Sequence, residues 1–149
     1  MLVTNIIIIA IFVVLPIVFI YVASHSQSNR AIKAFRLVAT QRNLAIHQPE
    51  VLIRDRVIGI DENKRVLLLC DQSNNEEIEL LRYPKIELKK MMQSDKDSHI
   101  ARIVIRFTDS ESKEKQIELF NSNIDGMAQG DNVYVKAQKW ERKCVECIH

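Results

Sequence analysis

The chain is short of the residues from which phosphate-binding loops and disulfide frameworks are built. Three glycines, Gly59, Gly126 and Gly130, are scattered through 149 residues. They are too few and too far apart for a glycine-rich phosphate loop. Three prolines and the absence of any low-complexity stretch exclude a linker-like or fibrous chain. The three cysteines, Cys70, Cys144 and Cys147, are an odd number, and free thiols suit a reducing compartment. His25, His47, His99 and His149 share no spacing, and neither G-x-S-x-G nor H-E-x-x-H occurs. Neither sign of charge dominates: 21 Lys and Arg face 19 Asp and Glu, a net +2, too balanced for a nucleic-acid binder.

Charge is missing altogether from one segment. Leu2 to Ala23 carries no Asp, Glu, Lys, Arg or His and includes the run IIIIAIFVVLPIVFIYVA. As a helix at about 1.5 Å per residue it would match a hydrocarbon core of about 30 Å, and Pro16 is tolerated in such a span. A cleaved signal peptide fits less well. No Lys or Arg precedes the run, the run exceeds the usual apolar core, and no A-x-A site follows. The expectation is therefore a retained transmembrane anchor over residues 1–23. Arg30, Lys33, Arg36 and Arg42 follow it with no acid before Glu50. By the positive-inside tendency this places the N-terminus outside and the rest on the cytoplasmic face of the inner membrane.

Residues 24–43 follow as a juxtamembrane segment. Ile32, Phe35, Val38 or Ala39, and Arg42 or Asn43 recur at helical spacing, and Arg30, Lys33 and Arg36 fall mostly off that stripe. The pattern predicts an amphipathic helix from about Asn29 to Asn43. It continues the first helix, lies on lipid or packs on the domain; the sequence does not choose.

Residues 44–149 have the size of one domain. Arg56–Ile60 and Arg65–Cys70 flank the turn Asp61-Glu62-Asn63-Lys64 and predict a hairpin. Glu77–Leu81, Lys85–Lys89, Ile100–Phe107 and Gln116–Phe120 predict further strands. Turns or loops fall at 71–75, 94–98 and 109–113, and Pro84 interrupts the sheet or marks its edge. In the strand after 100, Ile103, Ile105 and Phe107 alternate with Arg102, Val104 and Arg106, which assigns one face to a core. The period then changes. With Asp131 or Asn132 as N-cap, Val133, Ala137, Trp140, Cys144 and Cys147 or Ile148 line one side of a helix from about Asp131 to Ile148.

The hairpin Val57–Leu69, the strand Tyr83–Lys90 and the final helix Ala137–Ile148 with its single Trp140 resemble small bacterial membrane-anchored proteins with a pleckstrin-homology-like (PH-like) domain. The resemblance implies a mostly-β fold: about seven antiparallel strands in a barrel or sandwich, capped by the C-terminal helix. It implies a scaffold more than a reaction.

The expected function is accordingly a non-enzymatic, membrane-tethered scaffold or accessory subunit that holds a protein or peptide partner. No cofactor, metal or nucleic acid is expected, and the other expected contact is the bilayer. An alternative is binding of anionic lipid headgroups by Arg30, Lys33 and Arg36 together with Lys85 and Lys89. Lys85 and Lys89 share a strand face, but Glu87 interrupts it, and a solvated face is the plainer reading. A further alternative is redox or metal chemistry at Cys144-x-x-Cys147. Redox dithiols normally sit at a helix start, where the dipole lowers the thiol pKa. Here both lie near a helix end, on or beside the Trp140 stripe, where small buried hydrophobes explain them better.

Overall fold

The computed structural model describes residues 2–93 and 99–149; for residues 2–12, 24 and 25 it describes the backbone alone. The expected loop over 94–98 lies outside the described residues. The chain opens with one helix, α1 (Leu2–Gln41), which contains Pro16 and runs without a break through the polar segment at 24–29. Four strands follow, β1 (Glu50–Ile53), β2 (Arg56–Asp61), β3 (Val66–Cys70) and β4 (Asn75–Glu79). They form an antiparallel sheet in the order β1-β2-β3-β4. A 3-10 turn at Leu80–Arg82 leads to β5 (Lys85–Met92), β6 (Ile100–Thr108) and β7 (Glu114–Asn121), a second antiparallel sheet. A one-turn helix α2 (Ser122–Asp125) and the long α3 (Gly130–Ile148) complete it.

Two expectations are corrected here. Among the described residues, no helix is long and apolar enough to cross a membrane. The expected span depended on residues 2–12, whose side chains lie outside the described residues. The described apolar part, residues 13–23, would reach only about 16 Å, roughly half a hydrocarbon core. The single-pass anchor, its N-out orientation and the inner-membrane address are therefore not supported. The fold is instead a four-stranded and a three-stranded antiparallel sheet with a C-terminal helix, preceded by a helix whose second half belongs to the domain. The second correction is local. α3 begins at Gly130 rather than Asp131, with Gln129 at the cap position and no side-chain cap bond.

The core lies between the sheets and under α3. Ile58 and Ile60 from β2, Leu67 and Leu69 from β3, and Ile78 from β4 face Ile103, Ile105, Phe107, Ile117 and Leu119. Val133, Ala137, Trp140 and Cys144, the helical stripe of α3, close it. Polar groups fix the joints. Glu50 Oε2 accepts from Lys139 Nζ at 2.8 Å and from the Trp140 indole at 2.9 Å, while Lys136 donates to the carbonyl of Val51. These bonds clamp β1 to α3. Burial pushes the Glu50 carboxyl pKa up, but the bonds from Lys139 and Trp140 and the nearby Lys136 outweigh it, and the net shift is downward.

A second clasp joins the sheets at the other end. The buried Arg56 guanidinium donates to Asp71 (2.9 Å), to the buried Asp125 (3.0 Å) and to the Leu119 carbonyl (2.8 Å). Burial opposes its charge, yet the two carboxylates raise its pKa above the ordinary arginine value. A buried cation with all three guanidinium nitrogens donating is held tightly, whereas either partner alone would be costly.

Every residue of β2 and β3 is buried, which an alternating sheet with one wet face would not show. The reason is α1. Ala31, Phe35 and Ala39 repeat at four-residue spacing and lie on the outer face of the first sheet, against Val57, Val66, Leu68 and Cys70. Phe35, 1% exposed, reaches Gly59: a Cβ there would sit 2.9 Å from its ring and 2.5 Å from Ile46 Cγ2. α1 then stops in a Schellman arrangement. Asn43 is left-handed (φ 55°), Leu44 N–H bonds the Ala39 carbonyl (2.8 Å) and Asn43 N–H bonds that of Thr40 (3.0 Å). Of the alternatives open to this segment, two are observed together: it continues the first helix and it packs on the domain.

Candidate functional site

The main concavity is built where three segments meet. The first is the β2–β3 turn. Asp61 is buried, and its carboxylate accepts the Lys64 N–H (2.9 Å) and the Ala45 N–H (2.7 Å). The same side chain therefore shapes the turn and pins the segment that leaves α1. Burial pushes its pKa up, but the backbone N–H groups of Lys64, Ala45 and Asn63 prevail and hold it below the usual aspartate value. The turn closes with Arg65 at φ 55°, a left-handed position that glycine occupies more cheaply. The second segment is 47–48, just before β1. The third is the last two turns of α3.

Together they enclose a half-open cleft of about 610 Å³ lined by His47, Gln48, Ile60, Glu62, Arg65, Trp140, Lys143, Glu146, Cys147 and His149. Ile60 and Trp140, both buried in the core, lie behind it, and its walls are charged. Lys143 lies over the Trp140 ring, 4.6 Å from its centre. Glu62, Arg65, Lys143 and Glu146 all act on the Cys147 thiol. None of the four makes an ion pair among the described residues. The outer face of the second sheet behaves otherwise: there Lys85 pairs with Glu87 (3.0 Å), Arg106 with Glu114 (2.9 Å) and Arg102 with Glu118.

The cysteines do not form one site. Cys144 is fully buried in the core beside Trp140, and Cys147 stands in the cleft wall. Burial pushes the Cys144 thiol up to about 12. Cys147 is also raised, by burial first and then by Glu62 and Glu146, and Cys70, under α1, rises to about 11 by burial. All three are free thiols, and thiols so shifted stay protonated near neutral pH, a poor state for a nucleophile or metal ligand. Among the described residues, no three His, Cys, Asp or Glu side chains are grouped to hold a metal ion.

The basic residues singled out in the sequence are not gathered together. Arg30, Lys33 and Arg36 are exposed on α1, off the stripe that packs on the first sheet. Lys85 and Lys89 stand on the outer face of β5 in the other sheet, in register with Thr108 and Val104. The residues missed by sequence reasoning are Glu62, which read only as part of a turn, Arg65, which read as the start of a strand, and Lys143 and Glu146, which read as the wet side of a helix. The run of charged residues Asp61, Glu62, Lys64 and Arg65 at a hairpin tip was the one available signal. Their meeting across some eighty residues has no local signature. No family model, no curated protein and no solved structure matches the chain.

Proposed function

We propose that this chain is a non-enzymatic scaffold or accessory domain that binds a protein or peptide partner in the cleft between the β2–β3 turn and the end of α3. One observation carries the reading: four charged side chains, none of them in an ion pair among the described residues, border one concavity. Its volume falls in the range of ligand sites, about 300–1,000 Å³. Charges held unpaired around such a site are available to a partner's groups. The protonated thiols and the PH-like resemblance of the sequence point the same way, toward holding rather than converting.

The anionic-headgroup alternative has weaker support, because one of its basic groups stands on α1 and the other on β5, and Lys85 is already paired with Glu87. Selection of a displayed random-peptide library on the immobilised chain tests the proposal. Enriched peptides should perturb the amide resonances of Glu62, Arg65 and Glu146. Enrichment of nothing, or perturbations confined to other surfaces, would overturn it.

A further inference from the structure

We propose that the cleft selects a dipolar peptide segment, with a basic side chain held by Glu62 and Glu146 and a neighbouring carboxylate held by Arg65 and Lys143. The inference rests on the partner-binding reading above and adds the chemistry of the partner. The cleft carries two cations and two anions, so a ligand of one sign would leave two like charges facing it. A neutral ligand would desolvate all four and pair none, and unpaired charges are costly wherever water is displaced. A segment bearing both signs meets each wall with its complement.

Arg65 is the member of the set that substitution tests most directly: it is left-handed at a tight turn where glycine carries no Cβ penalty, and its side chain lines the cleft with no ion pair among the described residues.

Trp140 is the only tryptophan and lines the cleft, so its emission reports occupancy. The probes are capped peptides in which one Arg and one Glu are separated by up to three alanines. Matched peptides replace either or both charges with Gln. At least one dipolar peptide should change Trp140 emission and bind about tenfold or more tightly than its single-charge partners, each lost pair being worth about a factor of ten. Arg65→Gly should weaken that binding about tenfold while the thermal midpoint stays level or rises, since glycine suits the turn. The double variant Glu62→Lys, Arg65→Glu, with its local dipole reversed, should prefer the peptide of reversed order. Equal binding of the uncharged peptide, or no loss in Arg65→Gly, would overturn the inference. If dipolar peptides fail while library-selected peptides still map to the cleft, partner binding stands and only the charge assignment falls. If the selected peptides map elsewhere, the cleft itself is wrong.

Discussion

Removing the ring of Phe35 should uncover Cys70 without disturbing Cys144. Phe35 is the one large side chain that α1 places in the outer cluster. Its neighbours in the helix, Ala31 and Ala39, are small. Its ring lies where a Cβ on Gly59 would stand, beside Ile46. Phe→Ala in a packed site costs about 3–5 kcal/mol. At about 1.4 kcal/mol per tenfold, a loss of about 3 kcal/mol raises the population in which this half of α1 has lifted away by roughly a hundredfold. Cys70 lies beneath that contact, whereas Cys144 lies in the separate inner core. The assay is labelling by a thiol reagent at pH 8, read cysteine by cysteine by mass spectrometry, with Cys144 as internal reference. Phe35→Ala should accelerate Cys70 by about a hundredfold and Cys144 far less. Leu37→Ala, at a residue 61% exposed, should change neither. Unchanged Cys70 labelling would show that Phe35 does not hold the cover. Cys70 and Cys144 rising together would show that the two clusters open as one.

The remaining expectations concern the clasps. Arg56→Met leaves the buried carboxylate of Asp125 without its cation and should cost about 3–5 kcal/mol by urea denaturation, with part recovered when Asp125→Leu is added. Asp61 has a folded pKa below its unfolded value of about 3.9, so its contribution is complete above that value and is lost as pH falls through the folded pKa. The urea midpoint should therefore decline below about pH 4, and Asp61→Asn should lower stability at pH 7 and flatten that decline. Gly59→Ala should act like Phe35→Ala on Cys70 labelling, because its added Cβ displaces the same ring and Ile46. In the native wild type, Cys144 should resist alkylation at pH 8 on the timescale that fully labels a free thiol, its pKa being about 12.

Local pattern alone determined much of the architecture. The turn Asp61–Lys64 between two apolar runs specifies a hairpin, because strand register follows the turn. The alternation from Arg102 to Phe107 puts Ile103, Ile105 and Phe107 inside, because strand side chains alternate with period two. The stripe through Val133, Ala137, Trp140 and Cys144 buries one side of α3 because helical side chains return to one face every three or four residues. What the sequence left undecided was decided by partners distant in the chain. β1 escaped notice because four residues carry too short a pattern; its pairing with β2 defines it, and the clamp from Glu50 and Val51 ties it to α3. The second half of α1 read as an amphipathic helix whose apolar stripe had no assigned partner. Only the Gly59 slot, a place where a missing Cβ admits a ring from elsewhere, shows that it belongs to the first sheet. The uncharged run at 2–23 suggested an anchor by composition, yet no described helix meets that requirement of length and apolarity. The cleft is the clearest case. Glu62 and Arg65 are ordinary turn residues, Lys143 and Glu146 ordinary helix residues, and their common site exists only because the fold brings the hairpin tip to the end of α3.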